Sequence, residues 1–391
     1  SWRFIIMSEL NASNFRKERG NEGPDLVGIT TLTSQHYMVP PSGTTEERPQ
    51  NPQKGTLRFN TDIGSLEFYR GDTIGWEQIQ RRTANLGGAL GPTYAGSNAG
   101  TGARGLAFGG NPQSSPNLRT QIDFITIPTL GNSQDFGDCH AAVSQSAAFG
   151  NSKRGVACGG NTASSPYGNN DTYMTIFAST GDATDFYTLT ATTKEATAFS
   201  NEVRGFCNEP AATQIAYASI ESGGNFVDFG VLTATSEQGA SYTSSTRGIV
   251  HINQGTSNVI NYVTLMTTGN ALDFGDSTDG RYGGSGGSSA TRGLFAGGWS
   301  PDVVNIIDYV TIATTGNSKD FGDLTDERYG MVGSCSSKTR MVSMGGHTNP
   351  GPGVNIMDYN QFATKGNALD FGDLTGDLSS TAACSNGHGG L

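Results

Sequence analysis

Six times in 391 residues the chain writes nearly the same phrase, and this period restricts the possible folds more than any other feature. Aligned on Asp-Phe, the copies place Phe136, Phe186, Phe229, Phe274, Phe321 and Phe371 at steps of 50, 43, 45, 47 and 50 residues. An arginine keeps step with them, at Arg104, Arg154, Arg204, Arg247, Arg292 and Arg340. So does an aromatic residue, at Phe124, Tyr173, Tyr217, Tyr262, Tyr309 and Tyr359. Three registers sharing one period, with glycine and aromatic marks, are the pattern of a β-propeller, in which each copy is one four-stranded blade.

The clearest copy is "RYGMVGSCSSKTRMVSMGGHTNPGPGVNIMDYNQFATKGNALDFGDLT", residues 328–375. It divides into four strands: "GMVGSCSS", "TRMVSMGG" ending in a double glycine, "NIMDYNQFAT" and "ALDFGDL". The turn before the fourth strand, "TKGN" here and "TTGN" in two earlier copies, puts Gly and Asn where a hairpin needs positive φ. The strands have no clean polar face, as expected of sheets packed on both sides. Six units end near Thr375, and the remnant "STAACSNGHGGL" matches only the first two strands of a unit. It either completes the first unit, giving six blades, the favoured count, or pairs with N-terminal strands, giving seven. The third unit is the shortest and lacks the double glycine.

Composition agrees with an all-β chain. There are 56 glycines, 35% of residues are hydrophobic and only 15% are charged, a balance that favours short strands and tight turns. The net charge of −11 repels phosphate backbones and argues against nucleic-acid binding. No run of 18 apolar residues occurs, so no transmembrane helix and no membrane insertion are expected. The apolar patch in "SWRFIIMSEL" is too short for a signal-peptide core, and Met7 reads as a start codon. The five cysteines (Cys139, Cys158, Cys207, Cys335 and Cys384) are odd in number, without C-x-x-C, and read as free structural thiols.

Two motifs invite enzymatic readings and fail them. Asp-Phe-Gly, which holds magnesium in a protein kinase, recurs here as a strand end, without the ATP-binding lysine or the His-Arg-Asp loop. Its Phe is expected to wedge between blades, and its Asp and Gly to shape the exit of the fourth strand. "GTGARG", residues 100–105, matches G-x-G-x-x-G but precedes a strand and not a helix. No cofactor is implied. Asp320, Asp323 and Asp326, like Asp273, Asp276 and Asp279, are spaced three apart, which raises a calcium reading that the missing EF-hand spacing weakens.

The double glycine followed by a third-strand aromatic resembles the kelch repeat, with Phe where kelch places a fourth-strand Trp. The resemblance covers residues 90–391 and implies fold, not function. Before it, residues 1–54 read as an extended N-terminal attachment arm, residues 55–83 as a three-stranded β module and residues 84–391 as the propeller. The phrase "GTLRFNTDIGSLEFYRGD…W" looks like a short β module of bacteriophage tail-fibre and other virion proteins. "MSEL…GPDLVGITTLTS…MVPPSGTTEERP" looks like their attachment ends, and "IDYVTIATTGNSKDFGDLT" and "ACSNGHGGL" resemble structural proteins of marine cyanophages.

That resemblance implies a non-enzymatic virion protein on the particle surface, as a tail fibre, capsid fibre or decoration. It would be held to other virion proteins by the N-terminal region, homo-oligomeric, with the propeller displayed outward. Loops between second and third strands vary most: "NPQSSPNLRT", "NTASSPYGNND", "WSPDVVN" and "HTNPGPGVN". Variable loops on a rigid scaffold suit recognition, so Trp299, His347 and Tyr167 are the candidates for stacking on host-surface carbohydrate. Two alternatives stand beside this: a glycan-active enzyme, for which no carboxylate pair or histidine set breaks the repeat, and a cellular kelch-like adaptor.

Overall fold

The computed structural model describes residues 40–62, 65–73, 75–78, 104–112, 118–163, 168–208, 213–253, 257–331, 333–349 and 351–391. These residues are all-β, with no helix among them. The chain divides into two compact units, Ser1–Arg82 and Thr83–Leu391.

In the first unit, β2 (Leu57–Asn60), β3 (Ser65–Tyr69) and β4 (Trp76–Gln78) form the expected antiparallel meander. A fourth strand, β1 (Ser42–Gly43), pairs parallel to β2. The sheet therefore begins twelve residues before the predicted end of the extended arm. Its centre is polar. Glu67 is fully buried and accepts Arg48 Nε at 3.2 Å and Nη2 at 2.5 Å, and Asn60 Nδ2 at 3.2 Å. Those donors, Arg48 first, hold its carboxyl below the usual range. Arg48 and Arg58 both lie 5.9 Å from the centroid of Trp76. So small a sheet cannot close an apolar core, and a fork-shaped ion pair capped by an indole fastens it instead.

The second unit contains six four-stranded antiparallel sheets. The first is β5 (Arg104–Phe108), β6 (Arg119–Thr126) and β7 (Gln134–Val143). The second is β8 (Ala147–Gly150), β9 (Arg154–Cys158), β10 (Asn169–Ile176) and β11 (Thr184–Thr193). The third is β12 (Ala198–Ser200), β13 (Arg204–Asn208), β14 (Gln214–Ser219) and β15 (Val227–Val231). The fourth is β16 (Ser241–Thr243), β17 (Arg247–His251), β18 (Val259–Thr264) and β19 (Leu272–Asp276). The fifth is β20 (Ser285–Ser288), β21 (Arg292–Ala296), β22 (Ile306–Thr311) and β23 (Lys319–Asp323). The sixth is β24 (Ser334–Ser336), β25 (Arg340–Met344), β26 (Val354–Gln361) and β27 (Leu369–Leu378). The remaining strand, β28 (Ala382–Ser385), completes the first sheet by pairing with β5, Ala382 opposite Phe108.

The apolar core is not one body but six slabs, each shared by two neighbouring sheets. Phe136 of the first sheet packs with Tyr173 and Phe177 of the second. Phe149 packs with Ile220 and Phe226 across the second and third sheets. Phe229 meets Val250 and Val263 of the fourth, Phe274 meets Val310 of the fifth, and Phe321 meets Met341 and Phe362 of the sixth. Phe371 of the sixth sheet returns to Ile125 and Ile127 of the first.

The repeated residues fasten each sheet to the next. Each of the six arginines opens a second strand and donates to a carbonyl just past the third strand of the following sheet: Phe177, Ile220, Leu265, Ile312, Phe362 and Ile127 in turn. Arg154 Nη1 lies 2.7 Å from Ile220 O, and Arg340 Nη1 lies 2.9 Å from Ile127 O. Five of these guanidiniums also cover the aromatic of their own third strand, 4.3–5.1 Å from its centroid.

The exception corrects the sequence register. Met174, not Tyr173, faces Val156 two residues beyond Arg154, as Tyr309 faces Leu294. Tyr173 occupies the position held by Asp123, Asp308 and Asp358 in other sheets. It is buried, and burial raises the pKa of its hydroxyl.

Asp-Phe-Gly is also placed differently from expectation. It lies inside the fourth strand, at a bulge, and not at its exit: Ile307 faces Gly322 while Asp308 faces Asp320, so Phe321 is the extra residue. The Gly-Asn turn of the following sheet docks there. Gly366 N–H donates to Phe321 O at 2.9 Å, and Asn367 Oδ1 accepts from Asp323 N–H at 3.2 Å. The same turn glycine contact recurs as Gly131 on Phe371, Gly181 on Phe136, Gly269 on Phe229 and Gly316 on Phe274. At all five sites the motif glycine has φ of 141–152°, and a Cβ would stand 2.3–2.6 Å from the turn's carbonyl oxygen. Only glycine fits.

The clamp fails once, between the second and third sheets. There Tyr187 replaces the motif glycine, and its ring lies against Gly223. Phe186 accordingly stays half-buried, whereas Phe136, Phe229, Phe274, Phe321 and Phe371 are each at most 3% exposed.

Candidate functional site

The six inner strands β8, β12, β16, β20, β24 and β28 line one narrow cavity through the small residues Ala148, Ala198, Ser241, Gly286, Ser334 and Ala383. Just before each inner strand lies a residue with left-handed backbone: Gln145, Glu195, Gln238, Gly283, Gly330 and Ser380, with φ of 54–70°. Their main chains join from sheet to sheet. Gln145 N donates to Ser380 O at 2.8 Å, Glu195 N to Gln145 O at 2.7 Å, Gln238 N to Glu195 O at 2.8 Å and Gly283 N to Gln238 O at 3.1 Å. Met331 N then donates to Gly283 O, and Ser380 N to Gly330 O.

This series rims one end of the cavity. The four non-glycine residues with positive φ among the described residues all belong to it. Each costs about 1–2 kcal/mol that glycine would not, so three bulky polar side chains are held here against backbone preference. They form an arc: Gln145 Nε2 and Gln238 Nε2 both donate to Glu195 Oε1, at 2.7 and 3.0 Å.

At the other end the inner strands join through hydroxyls. Ser200 Oγ donates to Gly150 O, Thr243 Oγ1 to Ser200 O, Ser288 Oγ to Thr243 O and Ser385 Oγ to Ser336 O, at 2.6–2.8 Å. The chain after β28 crosses this end. His388 Nε2 donates to Gly150 O at 2.9 Å, and Nδ1 accepts from Gly390 N–H at 3.1 Å. With Nδ1 already an acceptor, protonation would break that contact, and burial lowers the imidazole pKa further.

Two of the three sequence candidates, Trp299 and His347, are linked through Tyr329 beside the left-handed rim. Trp299, on the loop after β21, forms an edge contact with Tyr329 at 5.2 Å, and Tyr329 reaches His347, on the loop after β25, also at 5.2 Å. The backbone fixes the row: Trp299 bridges Tyr282 and His347 bridges Tyr329, while Gly283 and Gly330 of the rim follow those two tyrosines directly. All three row residues are partly exposed, and partial burial lowers the pKa of His347. The third candidate, Tyr167, lies outside the described residues.

Sequence reasoning missed Tyr329, Glu195 and the two glutamines. The signal was available in the repeat: Gln145, Glu195 and Gln238 stand where two other units carry glycine.

Other polar clusters are interior fasteners. Arg281 pairs with Asp308 at 3.1 Å, and Arg328 pairs with Asp358, all four buried. Buried His251 sits between Tyr242 OH at 2.9 Å and Ser277 Oγ at 3.0 Å, and desolvation lowers its pKa to about 3. The five cysteines are free and buried, Cys158 and Cys207 with sulfurs 3.5 Å apart. Among the described residues no three His, Cys, Asp or Glu side chains converge as a metal site. No protein-family model matches the chain, and no curated protein does.

Proposed function

We propose that Thr83–Leu391 is a six-bladed propeller and that the protein is a non-enzymatic bacteriophage virion component, a tail fibre, capsid fibre or decoration. In this reading the N-terminal unit docks on other virion proteins and the propeller is displayed outward, where it binds host-surface carbohydrate. The blade count is supported by the cyclic sharing of core slabs and by the pairing of β28 with β5. The virion role is supported by the resemblance of the N-terminal β phrase to phage modules.

The observation that carries recognition is the row Trp299–Tyr329–His347, in which part-exposed rings from two loops and a connection are fixed by backbone bridges. Rigid, part-exposed aromatics provide stacking area at small entropic cost.

The test has two parts. Mass spectrometry and antibody labelling of purified virions locate the protein on the particle; its absence from virions ends the virion reading. Saccharide titration of the full chain by NMR follows Trp299→Ala, for which binding falls about 10-fold or more as stacking area is lost. Unchanged binding by that variant ends the carbohydrate reading.

A further inference from the structure

We infer that the rim beside the aromatic row is a second half of the same site and selects glycans whose terminal unit carries a free amine; this rests on the carbohydrate reading above. The two halves are continuous. Trp299 bridges Tyr282, the next residue Gly283 donates to Gln238 O, and Gln238 Nε2 holds Glu195 Oε1. Gly283 and Gly330 add no side chain to the rim on the aromatic side, whereas Gln145, Glu195 and Gln238 crowd the other. Gln238 Oε1 stands 3.5 Å from where a side chain on Gly283 would begin, so a sugar lying on Trp299 and Tyr329 and extending over Gly283 comes first to Gln238 and then to Glu195, which Gln238 holds.

The chemistry of the arc sets the preference. One amide N–H of each glutamine is committed to Glu195 Oε1. Glu195 Oε2 and both glutamine carbonyl oxygens are left to accept, and the arc carries one negative charge. Its surroundings add to that sign. In the connections between sheets, Lys194 stands against exposed Glu237, Asp279, Asp326 and Glu327, while Arg281 and Arg328 are buried in pairs with Asp308 and Asp358. Donor-rich cations fit such a rim, and uronates or phosphates are repelled. Four of the six rim positions, Gln145, Glu195, Gln238 and Ser380, hold positive φ without glycine, and the first three of them meet in the arc.

The experiment titrates the full chain with glucosamine tetramer, its N-acetylated form and a uronic-acid tetramer at low salt. The free-amine sugar is expected to bind about 5- to 10-fold more tightly than the N-acetylated one. That preference disappears in Glu195→Gln, which keeps an oxygen for both amides, and shrinks for the unaltered chain in 0.5 M salt. Equal affinities for the free-amine and N-acetylated sugars, or a preference that survives both Glu195→Gln and salt, overturn the amine selectivity alone. Loss of all binding in Trp299→Ala with selectivity absent keeps the aromatic platform and rejects the arc. Binding of none of the three sugars by the unaltered chain rejects both.

Discussion

Asp-Phe-Gly shows how one residue decides a seam. Gly322 holds φ of 151° under the carbonyl of Gly366, and a methyl group there would stand 2.5 Å from that oxygen. Gly322→Ala should destabilise the protein by about 2–4 kcal/mol, from backbone strain and overpacking together. Gly376→Ala, where nothing lies within 4 Å of the added atom, should be near neutral; thermal melts of the pair check this. His251 makes a second residue-scale prediction. Its folded pKa near 3 lies below the ordinary 6.5, so the unfolded chain binds the proton first as pH falls. The contribution of this one group to stability is full above pH 6.5 and falls by about 1.4 kcal/mol per pH unit between 6.5 and 3. The lowered pKa values of His388 and His347 act in the same direction. Urea titrations across that range should show a shallower slope for His251→Gln than for the unaltered chain.

At the scale of elements, the second sheet is the one that departs from its neighbours. It has Met174 under Arg154 in place of an aromatic, Tyr173 in place of a buried aspartate, and Tyr187 in place of the clamping glycine. Met174→Tyr should restore the ring beneath the guanidinium and add about 0.5–1 kcal/mol, read from the denaturant midpoint. The seam between the second and third sheets lacks the turn-glycine clamp, so the amides of β11 should exchange hydrogen faster than those of β23 and β27, which carry it.

Strand boundaries in the best-preserved unit were legible from sequence. Residues 334–336, 340–344, 354–361 and 369–378 fall on the four predicted runs, the last extending four residues further. What was illegible was the one-residue offset of Tyr173. Periodicity aligns residue types, whereas a strand register is set by which neighbour a side chain faces. The same limit hid the arc. Trp299 and His347 announced themselves by type, but Glu195 matters through a backbone conformation and two amides from other units, which no local phrase records.

For the whole molecule, the distribution of the core matters more than its size. Six slabs between sheets mean that each sheet depends on two others, and the first and sixth depend on each other through Ile127 and Phe371. Removing residues 386–391 would free the end of the cavity that His388 spans and lose its bond to Gly150 O and the two bonds between Asn386 and Arg104, which at about 1 kcal/mol each should cost on the order of 3 kcal/mol, read from the denaturant midpoint. The pairing of β28 with β5 joins residues 105 and 385, and this has a consequence for synthesis. While the ribosome makes the second to sixth sheets, β5 must wait with a bare inner edge, its amides and carbonyls offered to any extended strand nearby. β28, made after all of those sheets, is the strand that pairs with that edge, Ala382 opposite Phe108. Crowded translation of many copies would therefore favour exchange of β28 between chains, and dimers formed during expression would carry their swap at this strand.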